Sequence, residues 1–172
     1  MNDNNTELRT QLAHMLTTRQ AHMDFEDAVA DFLPQHINSK PPNCDYTFWH
    51  LLEHLRICQK DILDYIQSDS YKWPTFPDDL WPDKSAETDL AGWQQTIDQF
   101  YADRNGLVAI ICNPTVDLFA PLANSGKYQH TILREINIIA SHNAYHTGEI
   151  GVLRQAMGLW STDARPIDWL NG

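Results

Sequence analysis

Apolar positions recur every three or four residues over four long stretches of the chain, separated by segments rich in proline and glycine. Residues 6–33 hold neither glycine nor proline, and Leu8, Leu12, Met15, Leu16, Phe25, Val29 and Phe32 follow the spacing of one helix face, which predicts a first helix there. Residues 36–45, with Pro41 and Pro42, read as a loop, after which Thr47 caps a second helix reaching about Gln67. Residues 68–84 mix Pro74, Pro77 and Pro82 with Trp73, Phe76 and Trp81. That excludes regular structure but is too aromatic for a free linker, so the segment should pack on something. Ser85, followed by Glu87 and Asp89, reads as a helix start with an acidic first turn. The third helix then continues through Trp93, Ile97, Phe100 and Leu107 to about Ile111. Residues 113–127 form the next loop.

The fourth pattern is the clearest, with Ile132, Ile136, Ile139, Asn143, His146, Ile150, Leu153 and Met157 alternating by four and three before Gly158 offers a stop. Strand-like alternation is almost absent. The pattern therefore predicts an all-α chain whose four long helices make a four-helix bundle, a single domain over residues 1–172.

One feature of the fourth helix is costly for a core. His142 and His146 stand one turn apart on the stripe that Ile139 and Ile150 continue, so both rings face the interior, where an unpaired imidazole is expensive to desolvate. On the second helix Leu51, Leu55, Cys58 and Ile62 define the core face; His54 falls roughly 60° from its centre and His50 roughly 100°, which favours His54 as the inward residue. Two histidines one turn apart and a third from another helix make a divalent-metal set, and three ligands leave a position open for chemistry. The competing reading is that such pairs arise by chance and serve as satisfied polar groups. The sharper HExxH pattern is absent. Cys58, one turn after His54, is a small core residue or a fourth soft ligand. Gly148 and Gly151 each weaken the fourth helix by about 1 kcal/mol, which points to close approach of another helix or to room for a ligand. His14, His22, His36 and His130 are expected at solvent.

Composition narrows the function classes. Twelve Lys and Arg against 23 Asp and Glu give a formal net charge of −11, which repels phosphate backbones and anionic lipid and speaks against nucleic-acid and membrane partners. Three irregularly spaced cysteines suit a reducing, cytoplasmic setting, and neither a secretory leader pattern nor a membrane-spanning run is seen. There is no glycine-rich phosphate cradle, nucleophile elbow or basic face.

Two stretches, YTFWHLLEHLRICQKDIL at 46–63 and REINIIASHNAYHTGEIGVLRQAMGLW at 134–160, resemble the DinB-like (DinB/YfiT) family of proposed metalloenzymes. The resemblance implies a four-helix bundle whose metal is held by one histidine of the second helix and an HxxxH pair of the fourth, which land on His54, His142 and His146. It also implies a divalent ion, zinc or nickel first, holding water or a small thiol. Thiol-dependent S-transferases and isomerases belong to the family, so a small-molecule substrate, a low-molecular-weight thiol and a homodimer are expected. The alternatives are a non-catalytic metal- or ligand-binding bundle and a helical interaction protein. The chain departs from the family at Glu149, where many relatives have glutamine. That carboxylate is a catalytic candidate that could accept a ligand N–H, act as a base or enter the metal shell, or else a surface charge.

Overall fold

The structure is a computed structural model that describes residues 3–68 and 70–160. Among these, the α-helices are α1 (Asp3–Thr17), α2 (Phe25–Val29), α3 (Phe48–Gln67), α4 (Leu90–Cys112) and α5 (Ile132–Ala156), with short 3₁₀ turns at Pro34–His36, Asp78–Leu80 and Ala123–Tyr128. No strand occurs among the described residues, and none of their helices is long and apolar enough to cross a membrane. The four long helices, α1, α3, α4 and α5, are the bundle expected from periodicity.

Two boundaries differ from expectation. The stretch 6–33 is not one helix, because its polar middle provides better partners than another helical turn would. The Thr17 and Thr18 hydroxyls donate to the carbonyls of Ala13 and His14 at 2.9 and 3.0 Å, closing α1, and Asp24 then caps a new helix by accepting from the Asp27 amide at 2.8 Å. The break lets α2 turn Phe25 and Ala28 into the core, where Phe25 stacks on Phe100 at 3.9 Å. Similarly, α4 starts five residues beyond Ser85. Ser85 closes a turn onto Asp83, while Asp89 takes the cap by accepting from the Gly92 amide at 2.8 Å.

The core residues reveal the direction of each helix. One cluster joins Phe48, Leu51 and Leu55 of α3 to Trp93, Ile97 and Phe100 of α4 and Ile150 of α5; the other joins Leu63, Leu107 and Ile111 to Leu12, Leu16, Ile132, Ile136 and Ile139. Thus α3 and α4 run parallel and α5 runs against them; α1 also runs against α4, since Arg9 reaches the Ile111 carbonyl while the Leu16 carbonyl accepts from Arg104. A parallel pair needs a crossover connection. Residues 70–89 travel back along α3: Tyr71 bonds Asp61 at 2.7 Å, Leu80 meets His54, Ala86 meets His50, and Thr88 reaches Asn38. Of the aromatics expected to pack, Trp81 stacks on His54, whereas Trp73 and Phe76 stay 60% and 82% exposed, so the expectation holds only for the part of the segment next to α3's histidine.

Of the two glycines in α5, Gly151 does have a close neighbour, since a Cβ there would meet the Met23 side chain at 3.1 Å, but Met23 belongs to the loop before α2 and not to another helix. Gly148 does not, because a Cβ there would meet nothing within 4 Å. Gly158, at φ +67°, ends the last helix as its position suggests.

Candidate metal centre

Between the two apolar clusters lies a polar layer. Gln59 of α3 is fully buried, donating to the Phe100 carbonyl at 2.7 Å and accepting from the Asn143 amide at 2.9 Å. Beside it His54, His142 and His146 converge, with one nitrogen of each lying within 4.8 Å of the others. The ring centroids are 4.6 to 5.0 Å apart. Cys58 is not part of the group; its sulfur approaches the His54 ring at 3.5 Å, and burial together with Asp61 pushes the thiol up to about 12, which keeps it protonated at neutral pH.

Each ring is oriented from behind. His54 Nδ1–H donates to the Leu80 carbonyl at 2.7 Å, and Trp81 stacks on the ring at 3.9 Å with 7° between planes. His146 Nδ1–H donates to Glu149 Oε2 at 2.7 Å, while Tyr46 donates its hydroxyl to Glu149 Oε1. In both rings the proton on Nδ1 leaves Nε2 with its lone pair. His142 has no such support, for its Nδ1 is buried without a hydrogen-bond partner among the described residues, as is Asn143 Oδ1.

Titration favours neutral rings. Burial lowers His54, and burial with the two neighbouring histidines lowers His142 to about 4. Burial alone would raise Glu149, but the hydrogen bonds from His146 and Tyr46 outweigh it and hold the carboxyl below its ordinary value. A negative carboxylate therefore stands close to two uncharged imidazoles, those of His54 and His142, at neutral pH.

The donor set fits a divalent ion. His54 Nε2 and His142 Nε2 are 3.1 Å apart, a repulsive contact for two lone pairs unless a proton or a cation lies between them. At the usual Zn–N length of about 2.0–2.1 Å, nitrogens on one tetrahedral ion sit about 3.3 Å apart, close to this spacing. His54, His142 and His146 could therefore hold a metal ion.

His50, equally buried, has a different task. Its Nδ1 accepts the Thr47 amide at 3.3 Å in a capping box, and its Nε2–H donates to the Ala86 carbonyl at 2.7 Å, which clamps the crossover to the start of α3. His14 and His22 are exposed as expected, whereas His36 and His130 are half-buried against Ser39 and Tyr65. Tyr46, Leu80 and Trp81 escaped the periodicity argument because none lies on an α-helix. Tyr46 precedes the Thr47 cap within the stretch that carried the resemblance, which is the one sequence signal that could have singled it out.

The depressed His142 has a consequence for the metal-free protein. Between about 4 and the ordinary 6.5 the unfolded chain binds the proton that the folded ring refuses, so this histidine removes stability as pH falls through that window. Urea midpoints at pH 7 and pH 5 should drop less for His142→Leu than for the unsubstituted chain; equal drops would show that the ring is not desolvated.

The family model described as the DinB superfamily matches residues 17–150. No curated protein and no solved structure gives a match. The matched stretch contains all three histidines and ends at Ile150, within the site's helix. The chain belongs to the DinB superfamily.

Proposed function

We propose that the protein is a metal-dependent enzyme in which His54, His142 and His146 hold one divalent ion, zinc or nickel, with a position open to water or a small thiol. The observation that carries this reading is the convergence of three ring nitrogens within 4.8 Å of one another, where the Nδ1–H bonds of His54 and His146 leave their Nε2 atoms free and His142 Nε2 comes within 3.1 Å of His54 Nε2. Such an ion supplies Lewis acidity, which makes a bound water or thiol nucleophilic near neutral pH.

The chain's own residues complete the site. Leu80 and Glu149 keep the protons of His54 and His146 on Nδ1, and Trp81 excludes water from one face of His54. Glu149, charged and bonded to His146, is the proton acceptor in this reading; both its oxygens keep a lone pair beyond the bonds they already accept. A cleft of about 540 Å³, walled by Tyr46, His50, Pro77, Trp81 and Pro82, shares Tyr46 and Trp81 with the surroundings of the histidines and is the place for a small-molecule substrate. A low-molecular-weight thiol is the co-substrate, which makes the reaction an S-transfer. Three free cysteines suit a cytoplasmic setting. Ile138, Tyr145 and Val152, exposed at seven-residue intervals along α5, support a homodimer.

The test is turnover by the zinc- or nickel-loaded protein on a panel of electrophiles with added thiol. A thiol-dependent rate that falls at least about 100-fold in His54→Ala is expected, the scale on which single catalytic groups act. Metal binding with no rate above that variant would instead leave a non-catalytic metal- or ligand-binding bundle. Light scattering should give twice the 19.8 kDa chain mass, and a mass of one chain would refute the dimer.

A further inference from the structure

We infer that Tyr46 is a positioning residue of the metal centre, its hydroxyl holding the Glu149 carboxylate against His146 and so aiming His146 Nε2 at the site. The inference rests on the metal reading above and adds to it a residue from outside the ligand helices.

The terminal torsions of glutamate and histidine side chains have broad, shallow preferences, so neither Glu149 nor His146 fixes its own plane. Glu149 lies three residues after His146 on α5, and a carboxylate held by one hydrogen bond to a neighbour on its own helix can leave for water. The route is open, since the Glu149 side chain is 23% exposed. Tyr46 closes it. Its hydroxyl donates to Glu149 Oε1 while Oε2 accepts from His146, so both ends of the carboxylate are gripped and its plane is set. Tyr46 is itself anchored at two points. It adjoins the Thr47 cap, whose side chain accepts from the His50 amide at 3.1 Å, and its ring lies 5.5 Å from that of Trp81, the residue stacked on His54.

This hydroxyl therefore joins two helices as well as two side chains. His54 rides on α3 and His146 on α5; Tyr46, at the entrance to α3, is bonded to the carboxylate on α5 that steers His146. The distance between the ligands from the two helices is set partly through this bond. A phenylalanine would pack against Trp81 equally well, so the hydroxyl is what the metal centre requires.

The experiment measures Zn²⁺ affinity by chelator competition, and the visible spectrum of the Co²⁺-loaded protein, for the full chain and for Tyr46→Phe, Glu149→Gln and the double variant. Tyr46→Phe should weaken Zn²⁺ binding about 10-fold and Glu149→Gln about 10- to 100-fold, the range for groups that orient metal ligands. The double variant should be no weaker than Glu149→Gln within about twofold, because Tyr46 acts through Glu149. The cobalt bands should shift in Tyr46→Phe, which a residue serving only stability would not cause. Affinity within about twofold of the unsubstituted chain, unchanged cobalt bands, or full additivity with Glu149→Gln would each overturn the inference. A measurement that needs no substitution stands beside these: nitrogen NMR of the zinc-loaded protein should show the His146 proton on Nδ1, and a proton on Nε2 would overturn it equally. If the unsubstituted chain takes up neither ion, the metal reading falls and this inference with it; if it binds and Tyr46→Phe matches it, only the inference falls.

Discussion

Alanine at His54, His142 or His146 should abolish stoichiometric uptake of zinc by a chain that otherwise binds about one ion. The expected loss exceeds the 10- to 100-fold seen when only a group behind a ligand is removed, because each substitution leaves two nitrogens where three converge. The three positions should not behave alike in the metal-free protein. His54 and His146 each donate a hydrogen bond, to Leu80 and Glu149, so removing either ring strands an acceptor. His142 has no partner at Nδ1, and its Nε2 meets only the His54 Nε2, at 3.1 Å. His142→Leu should therefore be at least as stable as the unsubstituted chain without metal, yet fail to bind it. Chelator competition and urea unfolding on the same preparations check both halves. Undiminished affinity in any of the three alanine variants would remove the metal site, and a marked stability loss in metal-free His142→Leu would mean that the ring is satisfied in its place.

That opposition between stability and binding was what the sequence offered for reading. A buried imidazole on an apolar stripe breaks the pattern that makes the helix visible, so periodicity pointed to His142 and His146, and helical geometry preferred His54 over His50. In the fold these three rings lie together, with one nitrogen of each within 4.8 Å of the others. What stayed hidden has a common physical origin. Helix faces are readable from spacing because neighbours on a face are three or four residues apart. The groups behind the ligands come from elsewhere: Tyr46 lies 103 residues from Glu149, and the Leu80 carbonyl reaches His54 from an irregular crossover. No local pattern encodes such contacts. The broken first helix was missed for a related reason, since its apolar spacing resumes on α2 with a phase that suggests continuity, and only the Thr17, Thr18 and Asp24 side chains mark the interruption. His50 was set aside by angle and proved buried all the same, because the crossover covers a flank of α3 that the bundle alone would leave in water.

Arg154→Met should destabilise the protein by about 1–3 kcal/mol for each buried carbonyl it leaves without a donor, although the change exchanges a cation near a helix end for an apolar chain of similar length. From sequence, a basic residue in the last turn of a helix reads as a solvated charge favoured by the helix dipole. In the fold Arg154 is only 1% exposed and meets no carboxylate within salt-bridge distance among the described residues. Its guanidinium is held by carbonyl oxygens instead: Nη1 donates to Ala28 at 2.8 Å and Ala30 at 3.0 Å, and Nη2 donates to Leu159 at 3.4 Å. The plane also lies over the Trp160 ring at 3.8 Å and faces Phe32 at 5.0 Å. These carbonyls close α2 and the turn after α5, so one side chain ties the short helix and the end of the chain's longest helix together. Methionine fills much of the volume but leaves those oxygens without their donor, which is the costly half of the exchange. Lysine keeps the charge, yet a single ammonium cannot reproduce the planar fork, so Arg154→Lys should lose a substantial part of the same stability. Zinc affinity of the folded fraction should stay within about twofold of the unsubstituted chain, because the cost falls on the α2–α5 packing and not on the three ring nitrogens. Urea unfolding of both variants is the measurement, and a loss below about 1 kcal/mol for Arg154→Met would mean that the carbonyls find water as readily as they find the guanidinium.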